Sequence, residues 1–394
     1  LAMLTGLIIA WGVATPLLSA GLAGDTAQVA QTVWATKVRF IGAGAIGIAA
    51  IWSLIRLVGP VTAGLVATAR AGAAAKTGAD RDRDLSLGVI TALSAGCLVL
   101  IGWLLFDFIG TGELTPLRWP LVLGGVFFTV LIGAFVATVA GYMAGLIGAS
   151  NSPVSGIGIL ATVAAALLLA VFVQPKLGPN GTDPLVAFAL FGVAIVFSIA
   201  TIANDNLQDL KTGQLVGASP WRQQVALIVG VVAGSLIIPP VLDLLNHAYG
   251  FPGDPNRVAI AAQPLPAPQA ALISTLARGV LNAELDWNLI GIGALVGLAA
   301  IVLDEGLGAL KLLRLSPLAI GIGIYLPMDA TQPVIVGAII AWFYDRAMDR
   351  RPNGQMAKRF GVLLASGLIV GESLLGVLNA GLIVATGKAA PLAL

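Results

Sequence analysis

The sequence predicts an all-α, polytopic membrane protein with about ten to eleven transmembrane or re-entrant helices, the crossing length being set by the bilayer. Two observations carry this. The 394 residues are 58% hydrophobic and 10% charged, with a mean hydropathy of +0.97. A soluble domain carries about 25% charged residues, so most of this chain is solvated by lipid. The apolar runs are also continuous and about twenty residues long, the length of a helical crossing. Barrel strands would alternate apolar and polar positions over about ten residues. Because the hydrocarbon core holds no water, each span must pair its own backbone amides, as a helix does.

Several classes of protein are excluded or left without support. A net charge of +2 carries no signal for a nucleic-acid partner. The single Cys97 builds no disulfide framework, and the single His247 rules out a His-rich metal site. No nucleophile–base pair, metal-ligand spacing or GxxxxGK[ST] loop occurs, and no segment has the pattern of a cleavable signal peptide. Passive or ion-coupled passage is what remains. No cofactor is expected. The chain begins inside an apolar run, with its first methionine at Met3. It therefore reads as a single transmembrane domain, 1–394, that is incomplete at its N-terminus.

The expected spans lie near 1–20, 38–58, 86–109, 119–147, 154–174, 185–203, 222–245, 287–304, 316–327, 331–345 and 360–386. Residues 316–327 are too short to cross and are followed by Pro327, Asp329 and Pro333. The pair 316–345 is either two half-helices or two tilted crossings. Short, Gly/Pro-interrupted segments are the sequence mark of a transporter binding site. Orientation follows from the basic residues. Arg56, Arg70, Lys76, Arg81, Arg83, Lys211, Arg222, Lys311, Arg314, Arg346, Arg350, Arg351, Lys358 and Arg359 make up two-thirds of the 21. They fall in four loops on one side, which is then cytoplasmic. The stretch 246–286 becomes an external loop.

Four polar constellations stand out. The run Asn204-Asp-Asn-Leu-Gln-Asp-Leu-Lys-Thr212 follows an apolar stretch. Asp205 and Asp209 are four apart and repel on a helix. Carboxylates at a helix C-terminus also oppose the macrodipole. A helix break near Asn204, or a cation between the carboxylates, resolves both conflicts, and a solvated loop is the bland alternative. The join Ser150-Asn-Ser-Pro-Val-Ser-Gly156, with Tyr142 upstream, either lines a path or is an ordinary turn. In Gly321–Pro333, Asp329 is either a proton site at depth or an interfacial N-cap. Pro264–Ala271 opens an amphipathic stretch to Asn282, with Leu272, Leu276 and Val280 in one stripe. It reads as a surface helix or as a re-entrant helix over the site. Glu372 lies inside a span, where burial would favour its protonated form. Asp107, Asp304 and Glu305 read as solvated helix-end carboxylates.

Four motifs carry a family resemblance. Gly141-Tyr-Met-Ala-Gly-Leu-Ile-Gly-Ala-Ser-Asn-Ser-Pro-Val-Ser-Gly156 resembles a segment of the oligopeptide transporter (OPT) family, in its bacterial branch. Asn204–Gly213 with Gly217-Ala-Ser-Pro-Trp-Arg-Gln-Gln224 resembles the next segment. Ala267-Pro-Gln-Ala and Gly321-Ile-Gly-Ile-Tyr-Leu-Pro327 are similar to later ones, in the same order, so the likeness runs from about residue 36 to the end.

The resemblance implies a secondary transporter built from inverted repeats. Its expected substrate is a small peptide or a peptide-like metal chelate, and its expected coupling ion is the proton. The expected location is the inner membrane, in contact with lipid. Tyr142, Asn151, Ser152, Ser155, Asn204, Asn206, Gln208, Gln269, Tyr325 and Gln332 are the candidate substrate-binding residues. Asp205, Asp209, Asp329 and Glu372 are the candidate proton carriers. A membrane-embedded enzyme or assembly subunit acting on a lipid-linked substrate is the alternative, and a channel is a third.

Overall fold

A computed structural model of the chain describes residues 1–74, 84–148, 154–177, 181–251, 257–261, 264–265, 267–282 and 286–392. Every regular element among them is helical: α1 Ala2–Leu7, α2 Thr15–Ser19, α3 Thr26–Val33, α4 Arg39–Ala74, α5 Leu87–Ile109, α6 Arg118–Ile147 and α7 Val154–Phe172. There follow α8 Thr182–Val216, α9 Pro220–Tyr249, α10 Pro268–Asn282, α11 Trp287–Ala309, α12 Pro317–Tyr325, α13 Met328–Met348 and α14 Gly354–Thr386. Two π-helical segments, Ile8–Ala14 and Trp34–Val38, join α1 to α2 and α3 to α4. Among the described residues, nine helical segments are long and apolar enough to cross a membrane. The protein is thus a polytopic helical membrane protein. The short α12 and the polar-ended α13 are not among those nine.

Helix ends fall where the sequence supplies caps. Ser86 accepts a hydrogen bond from the Val89 N–H at the start of α5. Asp286 accepts from the N–H groups of Asn288 and Leu289 at the start of α11. Ser316 accepts from the Ala319 N–H, with Pro317 in the first turn of α12. Each satisfies donors that an N-terminus leaves unpaired. At the other end of α8, Gly217 adopts a left-handed conformation with φ 75°. The N–H groups of Gly217 and Ala218 return to the carbonyls of Gln214 and Gly213, a glycine-terminated end of the Schellman kind.

The chain divides into two compact units. The larger holds residues 1–227 and 272–327. In it α4 packs on α11, α12 and α7, while α8 packs on α6 and α7. One apolar cluster joins Leu105, Leu121, Leu185 and Phe188 to Ala277 and Leu281 of α10. Another joins Ala10, Trp34, Ile41 and Leu289 to Ile320 and Ile324 of α12. The smaller unit, 228–271 and 328–394, has a core of Ala248, Ala380 and Ile383, with Leu244, Leu245 and Tyr249 against it. Cys97 is exposed on α5.

Apolar residues contacting lipid gain little by contacting protein instead, so close van der Waals fit holds membrane helices together. The contact between α4 and α11 depends on two glycines. A Cβ at Gly44 would sit 2.1 Å from the Ile290 carbonyl oxygen, and one at Gly293 would sit 2.0 Å from that of Ile41. Both obstacles are backbone, so no side chain can move aside.

Two expectations are corrected. The helix does not break near Asn204, because α8 runs unbroken for 35 residues from Thr182 to Val216. Asp205 and Asp209 are therefore not in its last turn, so the opposition from the helix dipole is absent. Both side chains are exposed, and repulsion at that spacing costs only a few tenths of a kcal/mol. Helix α10 is not a surface helix. Leu272, Leu276, Ala277 and Leu281 are buried against α4, α5, α7, α8 and α12. Substituting Gly293→Leu should destabilise the larger unit by about 1–3 kcal/mol, read as a lower melting temperature of the intact protein in detergent.

Candidate functional site

The candidate residues fall into several groups. Tyr142 is half-buried on α6, packed against the cluster of Val136, Val139, Ile157, Ala161, Val196 and Ala200. Helix α8 lies against the same turn of α6: a Cβ at Gly141 would be 3.2 Å from Leu207 and 3.4 Å from the Ala203 carbonyl. At this level of α8, Asn204 is buried with 7% of its surface exposed. Asn206 is half-buried, while Asp205, Gln208 and Asp209 are exposed. The helix therefore sorts the polar run by face, with one amide turned inward and the carboxylates outward.

One turn further along α8 a cavity of about 500 Å³ opens. Its lining includes Asp84, Gly145, Leu207, Lys211 and Gln214. Neither Asp205 nor Asp209 belongs to it. Lys211 donates to the Gln214 side-chain oxygen at 2.9 Å. Gln224 at the start of α9 donates to Asp84 at 3.2 Å and accepts from the Leu85 N–H at 3.0 Å.

Tyr325 stands elsewhere in the same unit, at the last residue of α12. It is buried in the cluster of Ala43, Ile46, Ile159, Leu272 and Leu276. Gln269, near the start of α10 and counted with the smaller unit, is exposed. In the smaller unit, Asp329 sits in the first turn of α13 and is exposed, as is Gln332. Glu372 is exposed on α14. Asn151 and Ser152 lie outside the described residues, as does the side chain of Ser155, whose backbone is in the first turn of α7. Among the described residues no group of three His, Cys, Asp or Glu side chains could hold a metal.

Two functional-looking groups escape the sequence reading. Asp304 is expected to be solvated at a helix end, but α11 continues to Ala309 and buries it, with 6% of the residue exposed. Arg314 grips it with two hydrogen bonds, Nε–H to Oδ1 at 3.2 Å and a shorter one from Nη2 to Oδ2. Nη2 also reaches Glu305 at 2.8 Å, and Arg56 reaches Glu305 at 2.9 Å. The Asp304 hydrogen bond, with Glu305 beside it, holds the Arg314 guanidinium above its ordinary pKa despite partial desolvation. The second group centres on Arg39, midway along the apolar helical segment Thr26–Ser53. Its guanidinium lies 5.3 Å from the Trp34 ring centroid and 4.6 Å from that of Tyr325, and it donates to the Tyr325 hydroxyl. An arginine within an apolar segment, five residues after a tryptophan, is the available signal.

Many helices, long apolar spans and polar groups set inside helix contacts define a polytopic membrane protein. The particular family follows from comparison. The model of the OPT oligopeptide transporter protein family matches residues 1–383, and the chain belongs to that family, one of transporters rather than enzymes. A Haemophilus influenzae protein named as an oligopeptide transporter is 44% identical over 100% of this chain and 65% of its own length. A rice (Oryza sativa subsp. japonica) protein named as a metal-nicotianamine transporter is 29% identical over 50% of this chain and 28% of its own length. A Saccharomyces cerevisiae protein named as an oligopeptide transporter is 27% identical over 64% of this chain and 33% of its own length. The chain thus spans about two-thirds of its bacterial relative and about a third of the two eukaryotic ones.

The ion-pair group yields a stability prediction. Removing the cation strands a nearly buried carboxylate, whereas removing the carboxylate leaves Arg314 its contact with Glu305. Arg314→Gln should therefore lower the melting temperature in detergent more than Asp304→Asn does. Arg56→Gln should change it little, because its pair with Glu305 is about half exposed on both sides.

Proposed function

We propose that the protein is a secondary active importer of small peptides or peptide-like metal chelates across the inner membrane, coupled to the proton gradient. The observation that carries this is α12. Nine residues span about 14 Å, far short of the roughly 30 Å hydrocarbon core. Helix α12 is nonetheless packed among α1, α4 and α11. A short helix ending within a packed membrane unit is the arrangement in which transporters expose backbone and side-chain groups to a substrate. Family membership supports the same reading. So do the names of the relatives, which cover both peptides and metal–nicotianamine chelates.

The substrate would meet the inward amide of Asn204, the Tyr142 side and the end of α12. A carboxylate among Asp205, Asp209, Asp329 and Glu372 would carry the proton. The distribution of Lys and Arg among the loops supports a cytoplasmic face for the α8 polar run. The test is accumulation of a labelled tripeptide by vesicles carrying the intact protein. Accumulation against its gradient should collapse with an uncoupler, and the joint change Asp205→Asn with Asp209→Asn should slow coupled uptake at least tenfold, about 1.4 kcal/mol. Uptake indifferent to the proton gradient would overturn the coupling. Chemical conversion without net flux would instead favour a membrane-embedded enzyme.

A further inference from the structure

Arg39 is a charged group of the larger unit that the transport reading leaves without a task. A charge within an apolar span is costly and is usually paired or functional. Among the described residues, no carboxylate lies within ion-pair distance of it. Its Nε is buried without a hydrogen-bond partner. Its contacts are instead neutral: the Trp34 and Tyr325 rings and the Tyr325 hydroxyl. Cation–π contacts stabilise a guanidinium without using its bidentate donor fork, which can exchange the neutral Tyr325 hydroxyl for a carboxylate.

The surroundings form a built recess. Thr275 and Leu276 of α10, Ala43 of α4 and Tyr325 of α12 line it together with Arg39. Thr275 shares a hydrogen bond with Tyr325. The π-helical segment Trp34–Val38 ends immediately before Arg39, and π segments inside helices gather at functional sites. A second π segment, Ile8–Ala14, brings Trp11 to stack on Trp34 at 5.8 Å, and Trp34 Nε1–H donates to the Ile324 carbonyl at 3.3 Å. The ring beside the guanidinium is therefore held from two directions. In this structure the recess measures about 10 Å³, room for about one water. A ligand can enter only by taking the guanidinium from the Tyr325 hydroxyl.

The geometry points to Arg39 as the residue that recognises the carboxylate of a transported peptide or amino-carboxylate chelate, with Tyr325 as its stand-in partner when no ligand is bound. This assignment rests on the transport reading for the identity of the ligand and deepens it. Charge-assisted bidentate hydrogen bonds make the free acid bind at least tenfold more tightly than the amide.

The experiment is a thermal-shift titration of the intact protein in detergent with trialanine, trialanine amide and iron–nicotianamine. Binding to the folded state raises the melting temperature with ligand concentration. The wild-type protein should be stabilised by at least one of the two carboxylate probes, trialanine marking a peptide site and iron–nicotianamine a chelate site. Where trialanine binds, its amide should be at least tenfold weaker. Arg39→Gln should abolish the shift with a cooperative melt retained, and Arg39→Lys should restore part of it. Should Arg39→Gln fail to fold, Thr275→Glu decides. It supplies an internal carboxylate at the recess and should block the shift in a folded protein. Equal shifts with acid and amide, a shift surviving either Arg39→Gln or Thr275→Glu, or no shift with either carboxylate probe would overturn the assignment. Binding without accumulation in vesicles would leave it standing and overturn the transport reading instead.

Discussion

A nine-residue helix surrounded by apolar helices must satisfy both of its ends from protein groups, because lipid offers none. Much of the larger unit is organised by that constraint on α12. Ser316 caps its first turn, and Pro317 removes a donor that would otherwise need a partner. At its far end the indole of Trp34 supplies a donor to Ile324. That indole is itself stacked on Trp11 from the first apolar segment. Capping α12 thus ties together the N-terminal helices, α4 and the residues next to Arg39. Loss of the cap would leave a buried carbonyl without a partner, a cost of about 1–3 kcal/mol, and would free the ring against which Arg39 rests.

Helix packing here draws on two devices. In the larger unit, glycines let backbones touch, as Gly44 and Gly293 do between α4 and α11. In the smaller unit, side-chain hydrogen bonds recur near helix ends: Asn379 to the Tyr249 hydroxyl, Tyr344 to the Ala357 carbonyl, and Lys358 to Asp349. Backbone contact gives a fixed spacing with little tolerance for change. Polar contacts at helix ends tolerate more adjustment, since water can replace either partner there.

Most of the spans are legible in the sequence because the bilayer fixes their length and each run of apolar residues has to meet it. The shortness of 316–327 is legible for the same reason, with Pro317 and Pro327 marking its ends. The course of α8 is not. Repulsion between Asp205 and Asp209 suggests a break, yet α8 continues through Asn204 to Val216. A few tenths of a kcal/mol of repulsion between exposed side chains is outweighed by the backbone hydrogen bonds of each further turn. The burial of Asp304 and the setting of Arg39 are hidden for a different reason. Their meaning lies in partners ten and 286 residues away, Arg314 and Tyr325, and no local pattern records such a pairing. The stripe of α10 is visible as amphipathicity, but its destination is not, since it meets two separate apolar clusters on different helices.

Helix α8 is 35 residues long. At 1.5 Å per residue it measures about 52 Å, against a hydrocarbon thickness of about 30 Å. Roughly 20 Å of rigid rod therefore stands beyond the oil, bearing the polar run at its outer end. Such a rod is a lever arm. A tilt of about ten degrees within the membrane would swing its tip by about 3 Å, enough to make or break a hydrogen bond. A tilt of the membrane-embedded part would in this way become displacement at the aqueous edge, without any hinge inside the helix.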